Sequence, residues 1–296
     1  MNTPTRASTA GRAYLDLRKL ARENHRPVDE LLQLYVLEAF LDRLTSSRFT
    51  EHLVLKGGVL LAAFDERRPT RDIDLQAQAL ENDTETIRAA TCEIAAITLD
   101  DGVIFDIETA TAESIRDEAI YAGVRVTMTA QLATARPHFH VDTNVGDPIS
   151  PAPKNVCLPR LLGGEIVLRG YPLAMVHAEK IVTAVARGTV NTRWRDFADI
   201  YLLALHHAIA GTELVRSTRR VAEHRQVQLV PLAQALDDYG QIGQQRWTAW
   251  RRRQRLEDRL PEPFDDVIAA VIDFADPAII GSAESRSWDP ATQKWR

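Results

Sequence analysis

The chain has 296 residues, of which 45% are hydrophobic and 26% are charged. These are ordinary globular proportions, and the length allows one large domain or two modest ones, so a disordered chain and a low-complexity fibre are excluded. Lys and Arg number 36 against 41 Asp and Glu, a net charge of −5, which argues against a dedicated binder of double-stranded DNA.

The first third of the chain is predicted to be mostly helical. Apolar residues recur at three- and four-residue spacing over 11–24 and 28–47. The period then changes, and the pattern predicts a short strand over 52–56, a short helix over 59–64 and an alternating, half-buried strand over 71–75. A further helix is predicted over 82–97.

The middle of the chain is typical of strands. Runs rich in β-branched and aromatic residues predict strands over 103–108, 123–129 and 138–143. Four prolines between 146 and 159 predict a loop there. One last short strand is predicted over 165–168.

From residue 172 onward the periodicity is helical. The predicted helices are 173–187, 195–210, 212–223, 230–237, 243–258 and 263–275. We therefore expect an α+β protein with four parts. These are an N-terminal helical segment (1–50), an α/β core (51–170), a C-terminal helical domain (171–280) and an irregular tail (281–296).

Targeting signals and cysteine pairs are not evident. The chain contains no run of 18 apolar residues, its N-terminal stretch lacks an apolar signal region, and its two cysteines, Cys92 and Cys157, lie far apart. We therefore expect a cytoplasmic protein that makes no contact with a membrane.

Two short motifs, Gly57-Gly58 and Asp72-Ile73-Asp74, indicate chemistry on phosphates. Asp72 and Asp74 are two apart on a predicted strand, so their carboxylates share one face, where a Mg²⁺ ion would relieve their repulsion. The glycine pair opens a short helix and exposes backbone N–H groups suited to a phosphate. Each motif alone is common in solvated turns. Their order along the chain, however, predicts a nucleotidyl-transfer site: a strand, the glycine pair, a short helix and then the strand with the aspartates.

The stretch LKGGVLLAAFDERRPTRDIDLQ resembles the signature of the AbiEii-type nucleotidyltransferases, toxins of type IV toxin–antitoxin systems that include the MenT-like toxins. The resemblance implies a polymerase-β-like nucleotidyltransferase core with a mixed sheet, N-terminal helices and a C-terminal helical domain. It implies nucleotide-binding roles for Lys56, Gly57, Gly58 and Thr70. Val59 departs from the Thr or Ser usual after the glycines, so a phosphate would depend on backbone N–H groups there.

Two later stretches also resemble the family. Lys180 fits its lysine helix, and Arg193-Trp194-Arg195-Asp196 with Asp199 fits its Arg-x-Lys/Arg-Asp-x-x-Asp helix. The resemblance assigns Lys180 and Asp199 to catalysis, and Lys180, Arg193 and Asp196 to the nucleotide. Asp196 and Asp199 share a helix face, and a lysine is a compact cation able to meet a triphosphate. The alternatives are a solvated helix lysine and acids that favourably occupy a helix N-terminus.

The fold that the resemblance implies carries a third carboxylate, on a strand beside the paired aspartates. Asp142, in the run His138–Thr143, is the candidate, as a metal ligand or as the base for the attacking hydroxyl. Asp106 is the weaker alternative. The histidines of the run are expected to be surface or packing residues.

A basic stretch follows in the C-terminal region. Residues 246–259 carry six arginines against two acids, with Trp247 and Trp250 among them. Arginines bind phosphates and aromatic rings stack on unpaired bases, so the stretch predicts an RNA contact. The candidates are Arg251, Arg252, Arg253 and Arg255. The alternative is a charged helix whose tryptophans pack inside the domain.

The resemblance thus implies a Mg²⁺-dependent toxin that transfers NMP from an NTP to RNA, with the tRNA 3′ end as acceptor, and so blocks translation. It also implies a cognate antitoxin. Asp72 and Asp74 are the predicted metal ligands. Two alternatives stay open: NMP transfer to a protein hydroxyl, including one of its own, and an inactive binding module.

Overall fold

The computed structural model describes residues 3–117, 121–146 and 148–296. The chain divides into two compact units. The first comprises Met1–Gly146 and Lys154–Gly170, and the second comprises Asp147–Pro153 and Tyr171–Arg296. Within the described ranges, no helix combines the length and apolarity that a membrane span requires.

The first unit is built around a seven-stranded sheet. Its strands are β1 (Leu53–Lys56), β2 (Asp72–Ala77), β3 (Val103–Asp117), β4 (Tyr121–Leu132), β5 (His138–Val145), β6 (Lys154–Pro159) and β7 (Glu165–Gly170). Their order is β3-β4-β5-β2-β1-β7-β6. The β2–β5 and β1–β7 pairs are parallel and the other pairs are antiparallel. The predicted α+β class with a mixed sheet is confirmed.

The described part of this unit contains four helices. They are α1 (Thr9–Glu23), α2 (Val28–Thr45), α3 (Gly57–Leu60), which continues as a 3₁₀ turn (Leu61–Phe64), and α4 (Thr84–Ala95). Ser8 caps α1 by accepting a hydrogen bond from the Gly11 N–H, and Asp83 caps α4 by accepting from Thr86. Such caps satisfy backbone donors that the first helical turn leaves without partners.

One face of the sheet forms the core of the unit. Phe40 of α2 packs against Phe105 of β3 and Phe139 of β5, with ring centroids 6.0 and 5.9 Å away. Ile87 of α4 packs on Val126 of β4 in the same layer. Because side chains alternate along a strand, the residues between these apolar positions lie on the opposite face. That second face carries the polar residues of β2, β4 and β5.

A buried ion pair fastens α2 to the start of β3. Arg43 and Asp101 have side chains only 2% and 5% exposed, and their closest approach is 2.6 Å. The Arg43 guanidinium also donates to the backbone carbonyls of Ala39, Ile97 and Val103. Buried charges are tolerated when they are paired and hydrogen-bonded in this way.

The sheet is more extensive than predicted. β3 continues to Asp117 because it pairs with β4 along most of its length, with an irregularity between Asp106 and Thr111. The predicted loop over 146–159 is partly wrong, since Lys154–Pro159 forms β6. β6 is the outermost strand of the sheet and pairs only with β7. Proline is compatible with an edge strand because one side needs no ladder hydrogen bonds.

The second unit is mainly helical. Its helices are α5 (Leu173–Arg187), α6 (Trp194–His206), α7 (Gly211–His224), α8 (Leu232–Ala235), α9 (Tyr239–Gln254) and α10 (Phe264–Ile279), with a 3₁₀ turn at Gly188–Val190. Aromatic side chains fill its centre: Phe197, Tyr239, Trp247 and Phe264 are at most 1% exposed. These residues come from α6, α9 and α10 and join the three helices.

The C-terminal residues are not the irregular tail that was predicted. β8 (Ile209–Ala210), β9 (Ser287–Asp289) and β10 (Lys294–Trp295) form a three-stranded sheet. The Trp288 indole donates to the Ala204 carbonyl at 2.7 Å, and the Trp295 indole donates to the Phe274 carbonyl at 3.0 Å. Strands this short give no periodicity in the sequence. The buried Trp288 and the half-buried Trp295, both with satisfied N–H groups, hold them in place.

Candidate active site

Four charged residues lie side by side across the sheet of the first unit. The pairing register of β1, β2, β5 and β4 aligns Lys56, Asp74, Asp142 and Arg125 in that order. Directly opposed residues on neighbouring strands point to the same face. Two carboxylates are therefore flanked by a cation on each side. We call these four residues the charged row; Asp72 lies on the same face, two residues before Asp74.

Gly57 stands directly against the carboxylate of Asp74. Its φ is +67°, and a β-carbon built on it would lie 1.8 Å from Asp74 Oδ2. Any other residue would be strained at this φ and would collide with the carboxylate. The structure thus gives Gly57 a role that the sequence did not predict, which is to leave room for a predicted metal ligand.

Gly58 faces a different pair of side chains. A β-carbon there would lie 2.9 Å from Thr70 Oγ1 and 3.2 Å from Arg68 Nη2. The Thr70 hydroxyl donates to Asp72 Oδ1 at 2.6 Å. Predicted nucleotide-binding residues of the first unit and the predicted metal ligands thus gather in one place. Arg68 was missed, and its only sequence signal is its position in the turn before the aspartates.

The turn that carries Arg68 and Thr70 is anchored by Arg67. Its guanidinium contacts the buried carboxylate of Glu38 at 2.6 Å and also donates to the carbonyl of Pro159. Glu38 accepts a second hydrogen bond from the Leu161 N–H. Burial raises the pKa of Glu38, although Arg67 and the Leu161 N–H oppose this. The anchor fixes the chain immediately before Arg68.

Asp142 lies where the resemblance predicts a third carboxylate, on the strand beside β2 and in register with Asp74. Arg125 binds both of its oxygens, from Nε at 2.8 Å and from Nη2 at 2.7 Å. This hydrogen-bonded pair raises the pKa of Arg125 further above its usual range. Asp142 is therefore held by a neighbouring arginine, which sequence reasoning also missed.

Two other predictions concern the same strands. Asp106, the alternative third carboxylate, is exposed on β3, and two strands separate it from β2. This position does not fit the role. His140 is in register with Asp72, and its Nδ1 lies 2.9 Å from Thr127 Oγ1. It therefore belongs to the face of the charged row and not to the packing layer.

The oxygen ligands present suit a magnesium ion whose remaining coordination positions are filled by substrate. Among the residues the structure describes, no group of three His, Cys, Asp or Glu side chains is arranged to hold a metal ion. Mg²⁺ typically uses one or two protein carboxylates together with substrate phosphates and water. Asp72 and Asp74 provide such a pair on one face, and Gly57 leaves the space that Asp74 needs.

The later motifs meet in the second unit. Lys180 of α5 contacts Asp196 at 3.0 Å and Asp199 at 2.7 Å, both on α6. The three side chains are 13%, 9% and 4% exposed. The predicted sharing of one helix face by the two aspartates is confirmed. The alternative of a solvated lysine is wrong, because Lys180 lies in a partly buried cluster that joins two helices.

Charges dominate this cluster. Burial by itself would raise the pKa of Asp196, but Lys180 and Arg195 outweigh it and hold the pKa below its ordinary value. His177, one turn before Lys180 on α5, is fully buried, and burial together with Lys180 and His207 lowers its pKa to about 3. His177 is therefore neutral at physiological pH. Arg193 lies half-buried at the start of α6, where its N–H donates to Asn191 Oδ1.

The arginine-rich helix α9 divides into a buried and an exposed part. Arg251 was predicted to contact RNA, and this is wrong. It is only 9% exposed, and its guanidinium donates to the carbonyls of Leu260 and Glu257 at 2.9 and 2.8 Å. Trp247 is completely buried and packs on Phe264, as the packing alternative predicted. The remaining predicted RNA-binding arginines are exposed: Arg252 and Arg253 in the last turn of α9, and Arg255 at its C-terminal cap. We call these three the exposed arginines of α9.

Paired carboxylates on a central strand, beside a Gly-Gly turn, are typical of nucleotidyltransferases, and this is the class that the site indicates. The family model described as nucleotidyl transferase AbiEii toxin, type IV TA system, matches residues 39–270, well over half of the chain. The chain therefore belongs to the AbiEii family of nucleotidyltransferase toxins. The family and the enzyme class predicted from the sequence are confirmed.

Solved structures from Helicobacter pylori are similar to this chain. JHP933 aligns with a TM-score of 0.49 and 13% identity over 92% of this chain and 95% of its own. A second H. pylori protein, described as a candidate nucleotidyltransferase, aligns with a TM-score of 0.47 and 13% identity over 91% of this chain and 97% of its own. No curated protein matches the chain.

Proposed function

We propose that this protein transfers NMP from an NTP to a hydroxyl at the 3′ end of a tRNA and thereby blocks translation. The observation that carries the proposal is the face of the charged row, where Asp72 and Asp74 lie beside Gly57 and Gly58. Membership of the AbiEii family supports an NTP substrate and a toxin function. The tRNA acceptor rests on the resemblance and on the exposed arginines of α9.

Asp72 and Asp74 are the proposed ligands of a Mg²⁺ ion. Bound there, the ion would offset charge on the attacking and leaving oxygens of an in-line displacement. Thr70 holds one oxygen of Asp72 by its 2.6 Å hydrogen bond and so orients that carboxylate. Gly57 keeps the Asp74 carboxylate in place because no side chain competes for the space.

Lys56, Gly58 and Arg68 are the proposed phosphate contacts of the first unit. Lys56 begins the charged row, and Arg68 lies beside the Gly58 backbone. A guanidinium binds phosphate oxygens through two parallel N–H donors, and the backbone N–H groups of a turn donate hydrogen bonds to the same ligand. Since Val59 brings no hydroxyl, the positive charges of Arg68 and Lys56 supply the attraction.

Lys180, Arg193, Asp196 and Asp199 are proposed to serve the nucleotide as the resemblance implies. In the structure the positive charge of Lys180 is neutralised by ion pairs with Asp196 and Asp199, and this weakens its attraction for phosphates. A nucleotide contact by Lys180 would have to share the ammonium group with Asp196 and Asp199. An NTP titration of Lys180→Arg, which retains the charge inside the cluster, tests this role, and unchanged affinity would contradict it.

The decisive experiment compares wild type with Asp72→Asn. Each protein is incubated with each labelled NTP, Mg²⁺ and either total RNA or total protein. We expect label in RNA for wild type only. Asp72→Asn should melt at the same temperature or higher, because one of two adjacent charges is removed.

The same experiment separates the alternatives. Label in protein would replace the RNA proposal by NMP transfer to a protein hydroxyl. An absence of label from any NTP in both fractions would favour an inactive binding module. Full activity of Asp72→Asn would contradict the assignment of the metal ligand.

A cognate antitoxin is the proposed protein partner. The family consists of the toxins of type IV toxin–antitoxin systems. Co-expression with the product of a neighbouring gene, followed by growth measurements, tests this partner. Rescue of growth is expected, and its absence with every neighbouring gene would count against the proposal.

A further inference from the structure

Arg125 binds Asp142, the second carboxylate of the charged row, through two hydrogen bonds. Nε donates to Asp142 Oδ1 at 2.8 Å and Nη2 donates to Asp142 Oδ2 at 2.7 Å. The side chain of Asp142 is 10% exposed and that of Arg125 is 34% exposed. A bidentate pair between a guanidinium and a carboxylate is among the strongest and most directional contacts in proteins. Both oxygens of Asp142 therefore already accept a hydrogen bond from Arg125, and a metal ion on this carboxylate would have to compete with that pair.

The charges on this face of the sheet explain why the ion pair between Arg125 and Asp142 is important for metal binding. Asp72, Asp74 and Asp142 all lie on one face of adjacent strands β2 and β5. Three converging carboxylates repel one another strongly when no cation is near. The negative charge of Asp72 also acts on Arg125. Arg125 therefore supplies a fixed positive charge where a second divalent ion would otherwise be favoured.

We propose that Arg125 is an internal cation that keeps Asp142 out of the metal shell, so that the site takes one divalent ion on Asp72 and Asp74. This inference rests on the proposed metal site. Enzymes that use two metal ions place the second one among shared carboxylates. Here the guanidinium of Arg125 occupies the position of the second metal ion and supplies the positive charge from the protein itself. Arg125 is a positioning residue, since it acts through Asp142.

The proposal is tested by the binding of Mn²⁺ to the full-length protein without nucleotide, followed by electron paramagnetic resonance. We expect wild type to bind one ion weakly. Arg125→Met removes the charge and frees Asp142, so Mn²⁺ should bind at least about tenfold more tightly, because one more carboxylate then attracts the ion. The double variant Arg125→Met/Asp142→Asn should return to the affinity of wild type.

Arg125→Lys is the second variant, in case Arg125→Met does not fold. A lysine keeps the charge but cannot hold both oxygens of Asp142. We expect an intermediate gain in Mn²⁺ affinity. An unchanged affinity in every folded Arg125 variant overturns the proposal, as does a gain that persists when Asp142 is replaced by Asn.

Failure of the inference can be told apart from failure of the proposed metal site. The substitution Asp72→Asn is added to wild type and to Arg125→Met. If Mn²⁺ binding is lost with Asp72 but is indifferent to Arg125, the metal site stands and the inference falls. If Mn²⁺ binding is the same with and without Asp72, the metal site itself is wrong and the inference falls with it.

Discussion

At the scale of single residues, the candidate site depends on short distances around Asp74. Gly57 leaves the space for that carboxylate, and Arg125 restrains its neighbour Asp142. Both effects require the unit to be assembled, because the partners come from different strands and from the start of α3. Small changes in side-chain volume or charge at these positions should therefore have large consequences for the chemistry.

Gly57→Ala should abolish nucleotidyl transfer. The added methyl group would lie 1.8 Å from Asp74 Oδ2, at a φ of +67°. The strain at this φ costs about 1–2 kcal/mol, and the collision adds to it. Activity assays and urea unfolding measure the two effects. Gly163→Ala is the matched control, since its φ is +93° but nothing lies within 4 Å; that variant should lose stability and keep its activity.

Substitution of Arg251 should affect stability, whereas substitution of its exposed neighbours should affect RNA binding. Arg251→Met removes the hydrogen bonds to the carbonyls of Leu260 and Glu257 and should destabilise the protein by about 1–3 kcal/mol. The combined variant Arg252→Gln/Arg253→Gln/Arg255→Gln should unfold like wild type and bind RNA more weakly, with a shallower dependence on salt. Thermal melts and RNA titrations at several salt concentrations measure both. Equal RNA affinity for this variant and wild type would exclude α9 from the acceptor site.

At the scale of elements, the pair α5–α6 depends on one lysine. Lys180→Met would leave Asp196 and Asp199 buried without their shared cation, and breaking a buried ion pair costs about 3–5 kcal/mol. Urea unfolding should reveal a loss of this size. The triple variant with Asp196→Asn and Asp199→Asn should recover most of it. Lys19→Met is the control, because its contact with Glu23 is long and exposed and should contribute almost nothing.

The stability that Asp196 contributes should depend on pH. Its pKa is lowered in the folded protein, so the unfolded chain binds the proton more readily. The contribution is therefore complete above the ordinary aspartate pKa of 3.8 and is lost as the pH falls towards the folded value. The difference in unfolding free energy between wild type and Asp196→Asn should shrink over that interval. A difference that grows on acidification would reverse the assigned sign.

The sequence predicts elements well where the signal is local. The helix predicted over 173–187 has those bounds, because its apolar stripe and the preceding Pro172 are local features. The pair Asp72 and Asp74 and the strand that carries Asp142 were also found. β6 was missed because its segment of the chain, 146–159, contains prolines that predict a loop, and β9 and β10 were missed because strands of three and two residues give no periodic signal. Arg125 was missed because its partner Asp142 lies on another strand, 17 residues further along the chain.

At the scale of the whole molecule, the proposed chemistry should determine whether the protein is toxic. Expression of wild type should arrest growth and protein synthesis, and Asp72→Ala at matched levels should not. The Asp72→Ala variant keeps the exposed arginines of α9, so it serves as the control for growth arrest that is caused by RNA binding without catalysis. Arrest by both proteins would indicate that RNA or a partner is sequestered. Arrest by neither would remove the support for toxicity under the conditions tested.

The aromatic core of the second unit has a spectroscopic consequence. All five tryptophans of the chain lie in that unit and none in the unit that carries the charged row: Trp194, Trp247, Trp250, Trp288 and Trp295. Selective excitation of tryptophan therefore reports the unfolding of the helical unit, whereas circular dichroism reports both units. Loss of structure in Lys180→Met should therefore appear in tryptophan emission, and for Gly57→Ala a comparison of emission with circular dichroism shows whether the helical unit unfolds together with the sheet.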